Sequence, residues 1–480
     1  MTRKAFVQPS TQQGVALIIL LALLGIVVIG VLLTIARSSA EAVERDKRTI
    51  EALAKAKEAL IAYAVSVQPD TSAKRLGDLP CPDLNNDGDT TLPEATCTTS
   101  IQRIGRLPWK KLGIGDLRDG NGERLWYALS ANFQRTTVNQ CPIVGGPGCL
   151  NSETPGTISV RDSRGNILHD GTTAANDPTV VPTGAIAVIF SPGPVLTRLG
   201  AGTPQDRSCA GDADVPGCEQ SGVCSGPVYT ATARCNPVNY LDVADATVAP
   251  ALPGIEDNQD FADSTTTNGF ISGPIVDAAN NPIVNDTLLV LRYSGLIPRL
   301  EQRVAGEGLR CLEDYFGAMG HYPWAAPVTS DYTTPMPVGL TGVDNTHFGR
   351  LPQTLSDATT WAAPCPAAMD TLAKKWWGNW SNLVFFGVAS SYAPVVGGML
   401  LTVNPPSAAA NKRVVVLVAG RPLSVSVPSP HLQSRGVGAS ELNYLEDANA
   451  DATANGAASG AGIFKQATRS LTFDDAVVFR

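Results

Sequence analysis

Charge is scarce in this chain. Asp, Glu, Lys and Arg make up 17% of its 480 residues, and the formal net charge is −8. No stripe of Lys and Arg breaks that pattern, so nothing points to a nucleic acid partner. Histidine is rarer still. The 4 that occur, His169, His321, His347 and His431, are scattered, and no H-E-x-x-H is present. Neither G-x-S-x-G nor a P-loop lysine motif is found, so the sequence reads as that of a protein that is not an enzyme. No two cysteines stand as C-x-x-C, which argues against zinc knuckles and a thioredoxin-type dithiol.

Other residue types are plentiful. Glycine (45) and proline (35) favour many turns and short strands. Ten cysteines, Cys81, Cys97, Cys141, Cys149, Cys209, Cys218, Cys224, Cys235, Cys311 and Cys365, all follow an apolar N-terminal segment. An even number in that position reads as a disulfide framework in an oxidising compartment. Local pairing is expected: 81–97, 141–149, 209–218, 224–235 and 311–365. Spacing alone leaves the connectivity open.

The apolar segment, residues 15–36, contains no charge. As a helix it would extend ~33 Å at ~1.5 Å per residue, enough to cross a bilayer. Arg3 and Lys4 precede it, whereas Arg37 is mixed with Glu41, Glu44, Arg45 and Asp46 after it. The expectation is a single-pass inner-membrane protein with a cytoplasmic N-terminus and periplasmic or extracellular heads. A cleaved signal ending near Ala40 and a plain signal anchor are competing readings. The helical pattern continues beyond residue 36, with Val43, Ile50, Leu53, Leu60, Ile61 and Ala64 on one face.

A short basic leader ending in Gln12-Gln13-Gly14, an apolar helix starting at Val15 and an amphipathic extension make the chain resemble the type IV pilin and pseudopilin superfamily. The resemblance implies that a prepilin peptidase cuts after Gly14 and methylates Val15. It also implies a helix laid on a globular head, with other pilin or pseudopilin subunits and the inner membrane as partners. Most members carry Glu as the fifth mature residue, where this chain has Ile19. Minor pseudopilins and pilins that lack that Glu are associated with the filament tip, which narrows the expectation to a minor subunit. The alternative is a stand-alone membrane-anchored periplasmic or surface binding protein.

Landmarks after the helix recur. Leu79-Pro80-Cys81-Pro82, Gly105-Arg106-Leu107-Pro108 and Gly120-Asn121 precede an apolar run at 185–190. A second helical pattern, 298–319, carries Leu300, Val304, Cys311, Leu312, Tyr315 and Phe316 on one face. It is followed by Tyr322-Pro323-Trp324, Gly349-Arg350-Leu351-Pro352, Gly378-Asn379 and an apolar run at 414–418. This order predicts a tandem duplication. The expected fold is α+β: a long membrane-spanning helix, then two pilin-like units of a helix on an antiparallel sheet, with a disulfide-rich insertion. The corresponding boundaries are a leader at 1–14, the spanning helix at 15–36, heads at 37–194 and 286–480, and the insertion at 195–285. A low-complexity stretch at 447–462 reads as a flexible loop.

The sharpest motif is the twelve-residue stretch at 83–94, which fits D-x-[DN]-x-[DN]-G-x5-E. Asp83, Asn85 and Asp87 would offer side-chain oxygens to calcium and Asp89 its carbonyl. Thr91 would hold a water, and Glu94 would bind through both oxygens. An Asn/Asp-rich turn tied by Cys81 and Cys97 is the competing reading. Trp376, Trp377 and Trp380 invite a carbohydrate platform, although their spacing beside Leu383 and Phe385 suits core residues.

Overall fold

The computed structural model describes residues 13–66, 75–90, 97, 100–134, 149–172, 179–197, 203–209, 237–241, 258, 269–276, 279, 281–332, 340–357, 359, 361, 365, 376–395, 397–426, 430–456 and 459–480. It opens with one continuous helix, α1 (Gln13–Ser66). Towards its C-terminal end, Ala52, Leu53, Ala56, Leu60, Ile61 and Ala64 recur at helical spacing and are buried. Val43 and Ile50, expected on the same face, are 67% and 62% exposed; the head first meets the helix at Arg45 and Thr49, where Gly120 packs, on a side that leaves Ile50 uncovered.

Among the described residues, no helix is long and apolar enough to cross a membrane. This corrects the expected fold class in its leading element, the membrane-spanning helix at 15–36. The single-pass inner-membrane location, with a cytoplasmic N-terminus and heads beyond the membrane, rested on that helix and is corrected with it. The fold is α+β, with few helices and mostly small sheets.

Two four-stranded antiparallel sheets dominate. The first consists of β1 (Ile104–Arg106), β2 (Trp126–Leu129), β3 (Ala185–Ser191) and β4 (Thr287–Arg292), in that spatial order. Helix α2 (Tyr293–Met319) follows β4 directly. The second sheet consists of β5 (Phe348–Arg350), β6 (Val384–Val388), β7 (Val414–Val418) and β8 (Ala476–Phe479), again in order. Helix α1 packs on β3 and β4, α2 packs on β7 and β8, and the two helices touch each other.

The two sheets share their local hydrogen bonding. The Leu79 amide donates to the Phe133 carbonyl at 2.9 Å, and the Tyr322 amide to the Tyr392 carbonyl at 2.8 Å. These bonds place Pro80 and Pro323 alike. Asp83 and Arg106 exchange backbone hydrogen bonds at 2.9 and 2.7 Å, as Ala326 and Arg350 do at 3.0 and 2.7 Å. The glycine of each Gly-Arg-Leu-Pro permits that approach. A Cβ on Gly105 would lie 2.7 Å from the Asp83 carbonyl oxygen, and one on Gly349 only 2.0 Å from that of Ala326.

Strand β4 begins after residue 285, so the first sheet is completed by chain beyond the insertion. Both faces of this sheet are buried. Tyr127, Leu129, Ala187 and Ile189 face α1 and the main core, while Trp126, Ala128, Val188 and Phe190 face a second apolar cluster. Tyr240, Leu241 and Phe270, all within 195–285, cover that outer face. A register shift between Ala185 and Ala187 leaves two neighbours, Ile186 and Ala187, on the same side.

Cys81 pairs with Cys97, and Cys311 of α2 pairs with Cys365. Cys149 and Cys209 are also disulfide-bonded. Cys141, Cys218, Cys224 and Cys235, on which the other expected pairings depend, lie outside the described residues. The units are joined by buried polar contacts. The Leu150 amide donates to Asn379 Oδ1 at 2.9 Å, and the Ser152 hydroxyl bonds Glu301 of α2 at 2.8 Å.

The low-complexity stretch is tied to the second unit, not merely looped out. Asn449 is fully buried and donates to Asp475 Oδ2 at 2.9 Å and to the Lys465 carbonyl at 3.1 Å. Just beyond it, Ile463–Phe464 pairs with Thr402–Val403.

Candidate calcium loop

The loop at 83–90 sits between the disulfide at Cys81 and strand β1. Asp83 is 1% exposed, and its two carboxylate oxygens accept the backbone N–H groups of Asn86 and Gly88, each at 2.7 Å. Asn86 and Gly88 take left-handed conformations, with φ of 67° and 88°. Gly88 is required for a further reason: a Cβ there would lie 2.3 Å from Nε1 of Trp109. Burial is the main cause that pushes the Asp83 carboxyl up to about 7.

The rest of the loop turns on its own side chains. Asp87 Oδ1 accepts the Asp89 amide at 2.7 Å, and Asn85 Nδ2 donates to Asp87 Oδ2 at 3.3 Å. Two cations hold it from outside. Lys110 Nζ donates to the Asp87 carbonyl, and Arg124 Nη1 donates to Asn86 Oδ1 at 2.7 Å. Lys110, Arg124 and Trp109 were not singled out from the sequence. Trp109 and Lys110 directly follow Gly105-Arg106-Leu107-Pro108, which returns the chain to the loop, whereas Arg124 comes from the bridge it makes with Arg118.

The donors at 83, 85, 87 and 89 are all oxygens, the type calcium takes. Each Asp83 oxygen accepts one described N–H and retains further acceptor capacity. No described residue donates to the Asp89 carbonyl, the expected main-chain ligand. Among the described residues, no group of three or more His, Cys, Asp or Glu side chains is placed to hold a metal ion. Thr91 and Glu94, which would close the coordination shell, lie outside the described residues.

Other singled-out residues fall in separate places. Gly14 and Val15 lie in the first turn of α1. Trp377 and Trp380 are fully buried in the main core, so they offer no exposed stacking surface. The four histidines are each used locally. His169 contacts the Thr183 carbonyl, His321 that of Tyr322 and His431 that of Leu442, while the His347 ring packs edge-on against Trp324 at 4.8 Å.

No family model, no curated protein and no solved structure matches this chain.

Proposed function

We propose that this chain is a non-enzymatic, pilin-like minor subunit of a type IV pilus or type II secretion assembly, placed at or near the filament tip. The observation that carries the reading is the division of α1. Its C-terminal part is buried on the first sheet, while Ile19, Leu20, Leu23, Leu24, Ile26 and Val27 are 55–67% exposed on the projecting part. Large contiguous apolar surfaces on a soluble face are uncommon and mark sites of association. Helices of neighbouring subunits would bury this arm by side-chain packing along its length. Ile19 stands where a filament subunit's Glu would answer the charged terminus of a neighbour, and a tip subunit has no neighbour above to answer.

The test is mass spectrometry of the mature N-terminus in the presence and absence of the prepilin peptidase. A methylated Val15 that depends on the peptidase is the expected result. An intact leader containing Met1, or cleavage near Ala40, would sink the reading in favour of a stand-alone binding protein.

A further inference from the structure

The structurally matched arginines of the two sheets differ in their surroundings. Arg350 is fully buried. Its Nε donates to the Val328 carbonyl at 2.7 Å, and its guanidinium lies 4.5–4.8 Å from the ring centroids of Tyr444, Phe385 and Tyr332. Arg106 has two such rings, Trp126 at 5.0 Å and Tyr240 at 4.4 Å, and it lines an open cavity of about 380 Å³.

Three more arginines, Arg118, Arg124 and Arg207, line the same cavity. Their described carboxylate partners are Asp116, which pairs with Arg118 at 2.8 Å and Arg124 at 3.0 Å, and Glu123, 3.7 Å from Arg207. The lining holds four guanidinium groups and one carboxylate, Glu123; with Asp116 beside it and Asp83 near Arg106 also counted as ionised, positive charge is still in excess. The Arg207 side chain is only 5% exposed, and its Nη atoms donate to the Gly193 carbonyl at 2.6 Å and to Gln205 Oε1 at 2.7 Å, neutral acceptors that fix the guanidinium at the cavity wall. Neutral acceptors orient this charge without cancelling it, and with Glu123 no nearer than 3.7 Å a carboxylate in the cavity would complete its pairing.

We propose that this cavity binds the carboxylates of an acidic peptide segment presented by a partner protein. Planar guanidinium groups match carboxylates, and their spread around the cavity suits several carboxylates in sequence better than one compact anion. Glu123 supplies an acceptor for the peptide's own N–H groups, which a bare inorganic anion does not have. The site is built from the first unit and the insertion that covers its sheet, and it does not depend on the filament reading.

The test titrates the oxidised full chain by calorimetry with a capped hexaglutamate peptide and, separately, with inorganic phosphate at matched ionic strength. The peptide binds, and its affinity falls with added salt. Arg207→Gln weakens binding roughly tenfold or more. Arg118→Gln, at a half-exposed rim position where folding is not at stake, also weakens it. Arg310→Gln, on the exposed side of α2, leaves it unchanged. Circular dichroism confirms that each variant is folded. Binding of phosphate without the peptide, binding of neither, or peptide binding indifferent to both Arg118→Gln and Arg207→Gln overturns the proposal.

Discussion

Arg350 lies 4.5 Å from the ring centroid of Tyr444, whose hydroxyl donates to the Gly436 carbonyl at 3.0 Å. The pair closes one end of the second sheet, with an arginine enclosed by aromatic rings and carbonyl oxygens. Burial lowers the Arg350 pKa from its ordinary value. Arg350→Ala therefore leaves the Val328 and Asn382 carbonyls without their donor and opens a cavity. The expected loss is about 3–5 kcal/mol, measured from the denaturant midpoint. Arg350→Lys recovers only part of it, because an ammonium does not reproduce the planar fork. Arg106→Ala, at a counterpart that is 4% exposed but borders a cavity, costs less, about 2 kcal/mol.

The close approach at Gly349 makes a second prediction. A methyl group there meets the Ala326 carbonyl oxygen at 2.0 Å, so Gly349→Ala must separate β5 from the segment carrying Tyr322-Pro323-Trp324. The expected loss is about 2–4 kcal/mol. Gly105→Ala, with 2.7 Å to the Asp83 carbonyl, costs less. Thermal melts of the two variants should rank in that order, and equal midpoints would refute the shared geometry as the cause.

The second unit also predicts a pH dependence. Glu446 Oε2 accepts the Asp474 and Asp475 amides at 3.1 and 3.2 Å, and Asp475 Oδ2 accepts the Glu446 amide at 3.1 Å. Burial pushes Asp475 up to about 7, and burial followed by the charges of Asp475 and Asp474 raises Glu446. The folded state therefore holds protons that the unfolded chain releases near pH 4. The stability from these groups is fully present below the ordinary carboxylate range and is lost as pH rises through about 7. The melting temperature should be higher at pH 5 than at pH 8, and Asp475→Asn should flatten that difference. Burial raises Asp474 as well, and the nearby charges of Arg469, Arg435 and Arg421 offset part of that rise.

Calcium at the 83–94 loop is tested by calorimetry and by melts with and without chelator. Binding raises the melting temperature by mass action, and Glu94→Gln weakens it if the twelfth position is a ligand. No heat of binding together with no chelator shift would refute the site and leave the loop as a turn closed by Asp83.

Much of the architecture was legible as punctuation. Leu-Pro, Gly-Arg-Leu-Pro and the apolar runs at 185–190 and 414–418 mark turns and doubly buried strands, because glycine, proline and β-branched residues act locally. The pairs Cys81–Cys97 and Cys311–Cys365 followed from neighbourhood in the chain. The periodicity of α1 was legible too, but not where its burial begins. Val43 and Ile50 continue the apolar pattern and are exposed, because periodicity identifies a face and only packing supplies something to cover it.

Contacts between distant segments had no such signal. β4 completes the first sheet from beyond the insertion, Tyr240 and Phe270 cover its outer face, and Asn449 anchors a low-complexity stretch to Asp475. Turn positions, the strand-like runs and the matching motifs around Arg106 and Arg350 are written in short-range sequence, where glycine, proline and β-branched residues act. The environments of the two arginines came from packing between remote segments. Aromatic rings brought in by remote segments enclose Arg350, while Arg106, with fewer rings around it, opens onto three other arginines.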